Sequence, residues 1–158
     1  MQIEMKLRQM GLELPPLFQL PPGVRINFAP VRRSGNLLYI SGQGPLWGPE
    51  VRYKGKVGAD LTVEQAYEAA KLTGLNLLRL LTNELGDLDR VAGWAKVLGF
   101  INSAPGFTQQ PAVLNGFSDL IVELYGPERG LHARSAIGVA ELPFNIPVEI
   151  EAIVEINP

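Results

Sequence analysis

The stretch "VEIEAIVEI" at positions 148–156 limits what this chain can fold into more than any other. Val148, Ile150, Ala152, Val154 and Ile156 alternate with Glu149, Glu151, Ile153 and Glu155, a period of two that marks a strand with one apolar face. Such a strand needs a sheet beside it and a covering layer on its apolar side. Its glutamate-bearing face is either wetted or covered by another subunit, and the pattern leaves both open. Just upstream, positions 133–142 read as another strand, with Arg134 set among Ala133, Ser135, Ala136 and Gly138. Small neighbours leave space around a planar guanidinium, which suits bidentate capture of a carboxylate.

The remaining chain supplies the covering layer. Thr62 opens a helix with the capping-box spacing to Gln65, and Val63, Ala66, Ala70, Leu77, Leu81 and Leu85 follow at near-helical intervals up to Gly86. A second helix spans Pro111 to Gly126, with proline in its first turn and glycine at its end. Val24–Arg33 and Asn36–Gln43 read as strands joined by the "RSGN" turn, and Arg90–Asn102 as a strand alternating around Trp94, Leu98 and Phe100. Residues 1–23 form a short helix and a proline-rich extended arm, and 24–158 the domain proper. The expected architecture is α+β, a mixed sheet with two helices packed on one face.

Composition narrows function by exclusion. At 158 residues the chain is one domain, long enough to bury roughly 70% of its unfolded surface. Hydrophobic residues make up 46% and charged residues 19%, and a net charge of −2 gives no global field for nucleic acid or an anionic membrane. With no cysteine and His132 as the single histidine, neither a disulfide framework nor a His/Cys metal site is expected, and no cofactor. No leader-like h-region or membrane-length apolar run is present, so a cytoplasmic domain is expected. "GQGPLWG" does not open a helix and is no dinucleotide fingerprint, and no nucleophile elbow marks a hydrolase triad.

Three separated motifs resemble one family. "ARSAIGVAELPFNIPVEIEAI" is similar to the C-terminal signature of the RidA (YjgF-type) family, "GNLLYISGQGP" to its second strand, and "VLNGFSDL" to its Val-Asn helix segment. The resemblance covers about residues 24–156, and the longer "NSAPGFTQQP" loop is that of a divergent branch. It implies a trimeric, chorismate-mutase-like fold with a ligand cleft between subunits. The implied activity is hydrolysis of reactive 2-imino or enamino acids, of the 2-aminoacrylate type, to 2-oxo acids and ammonia. By that resemblance Arg134 binds the substrate carboxylate and Glu149 handles the attacking water. Ser41 and Gly42 line the cleft, with Asn115 on a helix and the Ala136 backbone at the imine nitrogen. Phe28 stands where the family carries tyrosine, Ala136 where it carries cysteine and His132 where it carries proline. The implied partners are a small imino or oxo acid and two further copies of the chain, with neither membrane nor nucleic acid. Two other functions remain: a small-carboxylate binding module without turnover, and the endoribonuclease or translation-inhibitor label attached to the family. Against the latter stands the absence of a basic surface signal and of a histidine pair.

One geometric expectation follows from pairing the last two strands as a hairpin across "LPFNIP". Glu149 then lies opposite about Ala140, roughly 20 Å along the sheet from Arg134. A small imino acid cannot span that gap, so the two residues could share a ligand only across subunits.

Overall fold

The computed structural model describes residues 1–158. After helix α1 (Gln2–Gln9) and an irregular arm come strands β1 (Val31–Ser34) and β2 (Leu37–Gln43). Two short strands, β3 (Leu46–Trp47) and β4 (Glu50–Val51), form a separate ribbon. Helix α2 (Val63–Leu85), strand β5 (Val91–Asn102), helix α3 (Gln110–Gly130), strand β6 (Ala133–Val139) and strand β7 (Val148–Ile156) complete the chain. The main sheet has the order β1-β2-β7-β5-β6, antiparallel throughout except for the parallel β5–β6 pair.

The α2 ends form as the sequence dictates. Thr62 Oγ1 accepts from the Gln65 amide at 3.1 Å while Gln65 Oε1 accepts from the Thr62 amide at 2.9 Å, and Gly86 closes the helix at φ 77°. The helices press together through small residues: a Cβ on Gly116 would lie 2.0 Å from the Tyr67 carbonyl oxygen, so only glycine permits this approach. Both helices cover one sheet face. Val148, Ile150, Ala152, Val154 and Ile156 are all buried beneath them, as the alternation predicts, and Glu149, Glu151, Ile153 and Glu155 turn to the other face. That other face also carries Tyr39, Leu98, Phe100 and Ile137. Helix α1 adds Ile3 and Leu7 to the same core, and Asp89 caps it by accepting from the Gln2 and Ile3 amides.

Four expectations are corrected. The last two strands do not form a hairpin: β5 lies between them, because β6 reaches the sheet parallel to β5 by way of α3. The first strand starts at Val31 rather than Val24, and residues 24–30 are irregular, with Pro30 unable to donate to a ladder. Trp94 does not share a face with Leu98 and Phe100. A register shift between Trp94 and Lys96 resets the alternation, so Trp94 packs edge-on against Phe117 and Tyr125 of α3. At Gly126 the backbone of α3 breaks (φ 73°, ψ 175°), as the stop signal predicts, but a further turn through Pro127 resumes the helix to Gly130.

Candidate functional site

The residues singled out in the sequence fall into two groups within one chain. The first is built on the edge strand β6. Arg134, opposite Val97 of β5, points to the helix-covered face, where its Nη1 donates to Ser118 Oγ at 2.9 Å and its Nη2 to the Pro111 carbonyl at 3.3 Å. Ser118 Oγ also lies 2.9 Å from His132 Nε2, and His132 Nδ1 lies 2.7 Å from the Gly130 carbonyl. A carbonyl only accepts, so the proton sits on Nδ1, leaving Nε2 to accept from the Ser118 hydroxyl. Burial is the main influence that lowers the His132 pKa, and the Arg134 charge adds to it, which favours this neutral tautomer. The guanidinium is thus oriented by a chain of hydrogen bonds running from Gly130 through His132 and Ser118. Ala136, two residues on, packs toward the core beneath α3, and Asn115 lies exposed on α3.

The second group surrounds a cavity of about 880 Å3. Phe28, Gly42 and Glu149 all line it. Gly42 lies close against it: a Cβ there would sit 3.0 Å from Glu149 Cδ, so a larger residue would push the carboxylate side chain aside. Glu149 is half-buried on β7, and burial first, then the neighbouring Glu151 charge, raises its pKa above the usual carboxylate range. Such a group exchanges protons closer to neutral pH than an exposed glutamate. Ser41, beside Gly42, faces elsewhere. Its hydroxyl donates to the Ala29 carbonyl at 2.7 Å and its amide to Pro30 at 2.9 Å, fastening the arm to β2.

Arg134 and Glu149 therefore do not meet in one chain. With Arg134 opposite Val97 and Glu149 opposite Phe100, they stand two strands and three residues apart. That places their Cα atoms roughly 14 Å apart, less than the hairpin reading gave. Their side chains leave opposite faces of the sheet.

Two polar residues at these sites escape a sequence reading. Ser118 sits 16 positions before its partner Arg134, on a helix whose pattern marks only core contacts. Arg79, in "LLRLL", looks like the solvated position of an amphipathic helix, yet it lines the cavity and its Nε is shut off from water without a hydrogen-bond partner.

Comparison with known proteins agrees with this architecture. The family described as "YjgF/chorismate mutase-like, putative endoribonuclease" matches residues 4–155. Protein TCP17 of Trypanosoma cruzi is 40% identical over 156 residues, covering 99% of this chain and 95% of that protein. The crystal structure of Atu1372 from Agrobacterium tumefaciens, a protein of unknown function, superposes with a TM-score of 0.89 at 42% identity, covering 99% of this chain and 93% of that one. A Shewanella oneidensis structure bearing the same endoribonuclease label superposes with a TM-score of 0.89 at 32% identity, covering 98% of this chain and 99% of that one. With its motifs, its sheet order and the match along nearly its whole length in agreement, this chain belongs to the YjgF/chorismate-mutase-like, RidA-type family.

Proposed function

We propose that the protein is a 2-imino acid deaminase that works as a homotrimer, hydrolysing imines of the 2-aminoacrylate type to 2-oxo acids and ammonia. The observation that carries this reading is Glu149: half-buried, raised in pKa, and set against a glycine in a cavity wide enough for a ligand. In the reaction the substrate is an iminium acid, with carbon double-bonded to a protonated nitrogen. Glu149 takes a proton from water as the oxygen attacks that carbon, and the C=N π electrons move to nitrogen. The proton then returns through Glu149 to the amine of the resulting carbinolamine. Nitrogen leaves as ammonia as the C=O bond forms, and the hydroxyl proton passes to the Glu149 carboxylate and from there to the released ammonia, so one water is consumed and no electrons are transferred. Such proton transfer by a positioned carboxyl contributes about 100- to 10,000-fold.

Arg134 anchors the substrate carboxylate through the guanidinium edge left free by Ser118 and Pro111. Because Arg134 and Glu149 leave opposite faces of one sheet, the two act on one molecule only when neighbouring copies contribute one each. The apolar residues Tyr39, Leu98, Phe100, Ile137 and Ile153 among the glutamates of the open face support burial of that face between subunits. Ser41 holds the arm, Asn115 and the Ala136 backbone flank the anchor, and Phe28 closes the cavity without a hydroxyl.

The test is direct. A serine dehydratase generates 2-aminoacrylate continuously, and pyruvate formation is followed with and without this protein. Faster pyruvate release, unchanged after dialysis against EDTA, is the expected result. A rate equal to the protein-free control overturns it. A second reading, a carboxylate-binding module without turnover, draws on Phe28, which lacks the tyrosine hydroxyl of the motif. It is supported if 2-oxobutyrate binds in an Arg134-dependent way while pyruvate release stays at the control rate.

A further inference from the structure

The cavity is too large for a three-carbon acid. Its 880 Å3 lies near the top of the roughly 300–1,000 Å3 range of pockets for drug-sized ligands. Most of its wall is apolar, and the arm contributes a large part of it, including Leu17, Phe18, Leu20 and Ile26, along with Ile146. Only two charged side chains line it, Glu149 and Arg79. They come from different layers, Glu149 from the open face of the sheet and Arg79 from α2 on the other side, and they form no ion pair.

Arg79 takes part in none of the chain's ion pairs, whose cations are the Met1 amine and Arg52, and its Nε is sealed from water with nothing to donate to. No hydrogen bond joins it to its polar neighbour Asn76, whose amide nitrogen is turned toward the Gly44, Leu46 and Leu72 carbonyls. A half-buried guanidinium with no ion pair, set in the wall of an apolar chamber, is a ready receptor for an anion.

We infer that this chamber binds an amphiphilic anion, an apolar body of aromatic or branched-chain size along the arm with a carboxylate or sulfonate head on Arg79. The inference rests on the chamber alone and not on the deaminase reading, because binding is measured without turnover. The probes are 8-anilinonaphthalene-1-sulfonate and its uncharged analogue N-phenyl-1-naphthylamine, titrated by fluorescence into wild type, Arg79→Met and Arg79→Lys. Saturable binding of the sulfonate is expected, roughly tenfold or more weaker in Arg79→Met and partly restored in Arg79→Lys, with the uncharged probe unchanged. Naphthalene-2-carboxylate should displace the sulfonate from wild type, and 2-naphthol should do so far less well. Equal sulfonate affinity in wild type and Arg79→Met, or equal loss of both probes, overturns the inference. Should Arg79→Met not fold, wild type decides by itself: equal displacement by the carboxylate and the naphthol is a contradicting result.

Discussion

Arg134 and Glu149 stand in opposite conditions. The arginine is tied down before any ligand arrives, by Ser118 and the Pro111 carbonyl, with His132 and Gly130 fixing Ser118 in turn. The glutamate borders an open chamber, and what shifts its pKa is burial and a like charge rather than a hydrogen bond. An anchor benefits from fixed geometry, because a guanidinium locked in place loses little entropy when a carboxylate docks. A proton carrier benefits from the reverse, since each hydrogen bond to its ionised form would pull its pKa down and away from neutrality. On the proposed reading the edge strand serves orientation and the chamber serves chemistry.

The comparison breaks first at Glu149. Glu149→Gln should lower kcat by about 100- to 10,000-fold in the pyruvate-release assay. Its effect on stability should have the opposite sign. A raised folded-state pKa means that the fold holds the Glu149 proton more tightly than the unfolded chain does. Stability from this group is therefore fully present below the unfolded-chain pKa and is lost as pH rises through the raised folded-state pKa. Removing the charge should leave Tm at pH 7.5 unchanged or higher, and should flatten its dependence on pH between about 4.3 and neutrality. Wild-type kcat should decline as pH falls through the raised Glu149 pKa.

Arg134 comes next. Arg134→Ala should cost about 2–4 kcal/mol of ligand binding, or roughly 30- to 1,000-fold in kcat/KM, with the fold intact by circular dichroism. Arg134→Lys should recover little, because an ammonium cannot make both contacts of the fork. Equal kcat/KM in wild type and Arg134→Ala would remove the anchor from the comparison altogether.

The smallest effect separates orientation from contact. Ser118→Ala deletes one of the two bonds holding Arg134, so KM should rise about three- to tenfold with kcat nearly unchanged. His132 adds a pH signature. Its pKa is depressed in the fold, so its contribution to stability is present above about 6.5 and is lost as pH falls below that value. A protonated ring can only donate, and it would then compete with Arg134 for Ser118 Oγ. KM should rise in acid for wild type, and Ser118→Ala should lose that dependence.

The parts of this molecule legible in sequence are those set by local chemistry. Thr62, Gln65 and Gly86 fix the ends of α2 within one turn, and the alternation of β7 fixes which side is buried. Neighbour order was not local. The hairpin reading of β6 and β7 failed because adjacency in sequence is only a default, and the segment joining them gives no sign that β5 is already paired with both. The strand reading of Trp94 with Leu98 and Phe100 failed because one inserted residue reverses a face, and in "VAGWAKV" only Gly93, an isolated glycine inside a strand, hints at it. Arg134 and Glu149 could be picked out by motif, but their opposite faces could not, since that depends on the sheet order. Arg79 was hidden by the leucines around it: its helix period is that of a surface position, and only the folded arm turns that surface into a wall.

The central claim is that Arg134 of one copy and Glu149 of another serve the same ligand. Unfolding Arg134→Ala and Glu149→Gln proteins, mixing them in equal amounts and refolding them together tests it. Random assembly into closed trimers rebuilds both residues in about one cleft of four, so the mixture should recover about a quarter of wild-type pyruvate release. No recovery from mixed trimers verified by native mass spectrometry, under conditions where wild type regains its activity, would contradict it.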